Sequence, residues 1–123
     1  MKKKSILSEK SFAFAIRIVN LYKFPVEKNK EFVLSKQILR SGTSIGANIR
    51  EAYNAESKKD FIHKISVAQK ECDETIYWLE LLHKTEYLSV DLFISISNDA
   101  IELLKMIRST IITSKSKLNL NGS

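Results

Sequence analysis

Apolar positions recur with the period of a helix along nearly the whole chain, and four segments carry the pattern. The first is expected from about Ser8, a plausible N-cap, to about Lys23, with Pro25 marking its end. Phe12, Phe14, Ile16, Ile18, Val19, Leu21 and Tyr22 leave it only a narrow polar strip around Lys10, Arg17 and Asn20. A helix so apolar cannot be buried on one side only: it sits at the centre of a bundle or meets another subunit. The second segment, about Glu31 to Asn54, is the clearest amphipath. At 100° per residue, Leu34, Ile38, Ile45, Ile49 and Ala52 cluster within about 60° of arc. Gly42 and Gly46 flank this stripe on one side, and Ser41, Ser44 and Asn48 flank it on the other.

Ser57 opens a third segment, with Asp60 three residues on in a capping-box-like pattern. Phe61, Ile65, Ala68, Cys72, Ile76, Leu79 and Leu82 continue it to about Glu86. Ile62, Tyr77, Trp78 and Leu81 lie off that stripe and are candidates for a second interface. After a short turn with Ser89 as a cap, a fourth segment runs on Phe93, Ile96, Ala100, Leu103, Leu104, Ile107 and Ile111 to about Ser114. Helices joined by links this short pack as antiparallel neighbours. The fold class is therefore all-α, an up-down-up-down four-helix bundle, with surplus apolar surface that points to an oligomer. Its expected organisation is a basic N-terminal tail over residues 1–7, the bundle over 8–114 and a flexible C-terminal tail over 115–123.

Glycine is costly inside a helix, by roughly 0.5–1 kcal/mol relative to alanine. Gly42 and Gly46 stand one turn apart in the second helix, so a close approach of neighbouring backbone is expected there. The polar side of the same helix carries Lys36, Arg40, Thr43, Ala47, Arg50 and Asn54, within about 40° of a line opposite the core stripe. Lys36 to Arg50 spans roughly 21 Å at 1.5 Å per residue, long enough to follow several backbone phosphates. Lys58, Lys59 and Lys64 extend this candidate nucleic-acid-binding surface. No aromatic residue interleaves with the stripe, so contact through phosphates is expected rather than base stacking. The competing reading is a solvated charged face of the kind any outer helix carries.

Composition adds limits rather than an activity. At 123 residues the chain forms one domain with a single core. Its lone Cys72 cannot form an intramolecular disulfide and fits a reducing compartment. No stretch reads as a signal peptide or a bilayer span, and a cytoplasmic location is expected. The net charge is +6, but Lys2, Lys3, Lys4, Lys115 and Lys117 supply most of it from outside the bundle. Glu80 and His83 have the Glu-x-x-His spacing of bundle metal sites. The other such pair, Asp60 with His63, lies on the same helix with the histidines about 30 Å apart, so the two cannot converge. Cys72 falls on the apolar stripe as a buried thiol. No cofactor site or catalytic constellation is found, and an enzyme is not expected.

The run QILRSGTSIGANIREAYNAESKKDFIHKISVAQKECDETIYWLELL resembles the four-helix bundle proteins encoded in intervening sequences of bacterial 23S rRNA genes. It is also similar to the accessory variability protein of diversity-generating retroelements. The specific part is S-I-x-x-N-I-x-E, matched by Ser44, Ile45, Asn48, Ile49 and Glu51; Ala52 stands where many members carry glycine. The resemblance implies a homopentameric ring with a basic surface. It further implies a non-enzymatic adaptor that binds RNA or DNA and a protein such as a reverse transcriptase. The alternative is a structural or protein-interaction module with no nucleic-acid role.

Overall fold

A computed structural model of the chain describes residues 5–29 and 33–120, the side chains of 24–29 and 120 aside. Four helices account for its regular structure: α1 (Ile6–Asn29), α2 (Val33–Ala52), α3 (Lys58–Lys84) and α4 (Val90–Leu120). Each packs against its neighbour in sequence, and α4 closes the bundle with a lighter contact on α1. That is the expected antiparallel topology. Among the described residues no helix is long and apolar enough to cross a membrane.

The core follows the periodic positions. Ile18 of α1, Ile38, Ile45 and Ile49 of α2, Ile65 and Leu79 of α3, and Ile96, Leu103 and Ile107 of α4 are essentially inaccessible to solvent. At roughly 1.5–3 kcal/mol per fully buried aliphatic side chain, this cluster is the main stabilising term. Ile62, expected at a second interface, is instead buried within the chain.

Helix ends differ from expectation in three places. The cap of α1 is Ser5, not Ser8: the Ser5 hydroxyl accepts from the Ser8 backbone N–H at 2.9 Å. Ile6 and Leu7, assigned to a tail, therefore form the first turn, and Leu7 is buried. At the other end α1 runs through Pro25 to Asn29. Proline removes one donor from the ladder and crowds the carbonyl four residues back, a cost the helix bears without ending. Likewise α4 passes Ser114 and reaches Leu120, making Lys115 and Lys117 helical rather than part of a tail. The expected start of the second helix at Glu31, the lysines Lys2, Lys3 and Lys4, and residues 121–123 lie outside the described residues.

The α2–α3 and α3–α4 links are built as local chemistry dictates. Ser57 caps α3, its hydroxyl accepting from the Asp60 N–H at 3.0 Å, while Asp60 Oδ2 accepts from the Glu56 N–H at 3.4 Å. At the C-terminus of α3, Tyr87 N–H donates to Leu82 O and Glu86 N–H to His83 O, the paired bonds of a Schellman motif. Glu86 takes the left-handed conformation that this motif requires, at φ 68°. Ser89 caps α4, its hydroxyl accepting from the Leu92 N–H at 3.3 Å.

Candidate nucleic-acid interface

Everything about the candidate surface depends on how α2 meets its two neighbours. Toward α1 the contact runs over glycine. A Cβ at Gly42 would lie 2.8 Å from Cγ1 and 2.9 Å from Cγ2 of the buried Ile18. One at Gly46 would lie 3.3 Å from the Ser11 carbonyl oxygen. Both glycines thus admit α1: Gly46 its backbone, as expected, and Gly42 a side chain instead. Toward α3 the seam is polar. Thr75 Oγ1 donates to Ser41 Oγ at 2.9 Å, both residues out of solvent, and sits 2.8 Å from the Glu71 carbonyl oxygen.

The polar flank of the motif serves the helix itself. Asn48 Nδ2 donates to the Ser44 carbonyl at 2.9 Å, and Ser44 Oγ to the Arg40 carbonyl at 2.6 Å. Asn48 thus finds its partner on its own helix, at the backbone carbonyl four residues back. Ile45 and Ile49 are core residues. Glu51 is exposed and accepts from Lys64 Nζ at 3.1 Å, tying the end of α2 to α3.

The basic stripe does not stay together. Arg40 and Arg50 occupy opposite edges of the outer face of α2, about 80° apart. Arg40 reaches over α3, where Nη1 is 3.1 Å from Glu71 Oε1 and Nη2 bonds Glu74 Oε2. Glu74 also accepts from Trp78 Nε1 at 2.9 Å. A guanidinium held by two carboxylates has little attraction left for a phosphate. Arg50 leans the other way, its Cζ 5.7 Å from the centre of the Phe12 ring on α1. That is a loose cation–π contact, worth about 0.5–1 kcal/mol at an exposed site. Among the described residues Arg50, Lys36, Lys58 and Lys59 form no ion pair, and all four are exposed.

Phe12 and Arg50 border a groove of about 1090 Å³ between α1 and α2, with Tyr53, Asn54, Asp60 and Lys64 at its α3 side. Ser5 lines the same groove, and it also borders Lys105, Met106 and Thr110 of α4. The start of α1, the end of α2, the start of α3 and the last third of α4 thus meet at one end of the bundle. Residues 5–14, 44–64 and 103–120, which build this end, carry nine Lys and Arg against four Asp and Glu. The remaining described residues carry seven against nine. Beyond Thr110, α4 continues for roughly 15 Å and bears Lys115 and Lys117. Of the expected binding residues, Arg50, Lys58, Lys59 and Lys64 belong to the basic end, while Lys36 lies toward the opposite end and Arg40 is neutralised. Phe12 was missed because a helical wheel of α2 cannot show what α1 brings beside it.

Other reactive side chains are committed to packing. Cys72 is buried with its Sγ 3.3 Å from the Ala100 carbonyl oxygen. Burial, reinforced by the charge of Asp73 and opposed by Arg108, pushes its thiol up from 9.0 to about 12. His83 stacks on Phe93 with ring centres 4.3 Å apart, and its Nδ1 faces Leu88 O at 3.4 Å.

Comparison with known proteins places this geometry. No curated protein matches the chain. Among solved structures, it is similar to a protein of unknown function of the S23 ribosomal protein family from Bacteroides thetaiotaomicron. The two are 59% identical with a TM-score of 0.85, over 86% of this chain and 98% of that one. The family model of the 23S rRNA-intervening sequence protein matches residues 3–109, and the chain belongs to that family.

Proposed function

We propose that this protein is a non-enzymatic, self-associating four-helix bundle that binds the phosphate backbone of RNA or DNA through its basic end. The observation that carries the reading is the segregation of charge along the bundle. Arg50, Lys58 and Lys59 are exposed there without carboxylate partners, beside Lys115 and Lys117. Lys2, Lys3 and Lys4 directly precede Ser5, which lines this end. The N-terminus of α3, whose first backbone N–H groups lie beside Lys58 and Lys59, adds its own partial positive charge.

Self-association is supported by a second surface. Ile94, Ile101 and Ile112 share the outer side of α4 at spacings of seven and eleven residues, and each is 41% exposed or more. Tyr77 of α3 is 56% exposed. A second copy covering such a face would repeat the basic end in one assembly, so that weak phosphate contacts add. Light scattering tests this directly through a mass above the 14.1 kDa of one chain.

Fluorescence anisotropy with a labelled RNA or DNA oligonucleotide tests the binding. Affinity should fall steeply with salt. Replacing Lys58 and Lys59 together by Ala should lower affinity about tenfold and reduce the slope of log K against log salt by about 1.4 on a single strand. The same change at Lys36 and Lys84, toward the other end, should leave both nearly unchanged. Equal losses from the two pairs would remove the basic end as the site. No binding at low salt would favour a protein-interaction module instead.

A further inference from the structure

We infer that the groove between α1 and α2 receives an unpaired base stacked on Phe12, so that the protein prefers single-stranded nucleic acid to duplex. This rests on the electrostatic reading above and specifies the kind of strand it takes. The Phe12 ring is 55% exposed and lies beside Arg50 at the cation-rich end, where its face is open to a partner. The ring borders a groove of about 1090 Å³, above the range of a single small-ligand pocket and open enough for a nucleotide with its sugar and phosphate. Tyr53 lines the same groove, its ring set edge-on against Phe61 at 5.3 Å, which braces a second aromatic surface.

The polar lining suits a nucleotide. Arg50 lies over Phe12 at 5.7 Å, too loosely to be locked there. A base stacking on the ring takes its place and leaves the guanidinium to face the phosphate of the same nucleotide. Thr43 and Asn54 also line the groove. Thr43 Oγ1 donates to the Leu39 carbonyl at 2.7 Å and Asn54 Nδ2 to the Arg50 carbonyl at 3.1 Å, which leaves their oxygens to accept from a base. Two carboxylates also line the groove, and both are engaged: Glu51 with Lys64 at 3.1 Å, and Asp60 with the Glu56 N–H at 3.4 Å. Charge also opposes a second copy docking through the same end, where cations outnumber acidic groups nine to four on both partners. A duplex brings phosphates but keeps its bases stacked inside, so only a single strand uses both halves of the site.

The experiment compares three labelled probes of equal length by anisotropy: a twelve-nucleotide single strand, the same strand with abasic positions, and the duplex. The wild-type protein should bind the intact strand about tenfold more tightly than the abasic one. Phe12→Ala should remove that advantage, about tenfold, while leaving the abasic strand and duplex unchanged. Equal affinity for intact and abasic strands, or an intact-strand affinity untouched by Phe12→Ala, would overturn the stacking inference. Salt-sensitive binding of all three probes would in that case still support the electrostatic reading. Failure to bind any probe at low salt would overturn both. Because the abasic comparison uses the wild-type protein, it decides the question whatever the variant does to folding.

Discussion

The two seams of α2 are built on opposite principles. Toward α3 the seam is closed by directional bonds, with Thr75 on Ser41 inside and Arg40 clamped by Glu71 and Glu74 outside. Toward α1 it is closed by absence, two glycines letting Ile18 and the Ser11 backbone come close. Beyond Gly46 that second seam opens into the groove of Phe12 and Arg50. The contrast teaches that two arginines ten residues apart on one helix face need not share a role. One is a structural tie, and the other is available to a ligand.

The glycine seam is the easier to break. Gly42→Ala forces a methyl against the branched Cβ region of Ile18, a buried side chain that cannot swing away. Overpacking of this kind costs about 1–3 kcal/mol, and alanine's better helix propensity returns less than about 1. We expect a net loss of about 2 kcal/mol by urea denaturation. A variant as stable as the parent would show that α1 approaches α2 less closely than described. Gly46→Ala is the milder counterpart, since its 3.3 Å contact allows a small shift to offset the propensity gain.

The side of the bundle formed by α3 and α4 is broken by alkali rather than by volume. Cys72 keeps its proton to about pH 12 when folded, against an ordinary value of 9.0. A raised folded value means that this contribution is fully present below about pH 9 and lost as the pH rises from there toward 12. At about pH 10 the loss is on the order of 1 kcal/mol. Denaturation at a series of pH values should show a steeper alkaline decline for the parent than for Cys72→Ala. Identical slopes would mean that the thiol is reached by water.

How much of this was legible in the sequence follows from the range of each interaction. The periodic core, the Ser57 cap and the meaning of Gly42 and Gly46 are properties of one helix or of its required fit, and all were readable. Ser5 as the cap was not, because Ser5 and Ser8 offer the same chemistry three residues apart. Pro25 does not end α1, because the cost of an interior proline is local and the packing of a whole helix can outweigh it. The fate of Arg40 depended on which edge of α2 faced the acidic residues of α3. The groove depended on α1 carrying Phe12 to Arg50. Both are tertiary facts that a wheel drawn for one helix does not contain.

The most direct test sets Arg40→Ala beside Arg50→Ala, measuring stability in urea and affinity for one single-stranded oligonucleotide. Losing its partly exposed ion pairs should cost Arg40→Ala about 0.5–1 kcal/mol of stability and leave its affinity unchanged. Arg50→Ala should weaken binding about five- to tenfold, with stability altered by no more than its loose contact on Phe12. Equal losses of affinity would contradict the account, because the stripe along α2 would then act as one surface and the two seams would not divide its arginines.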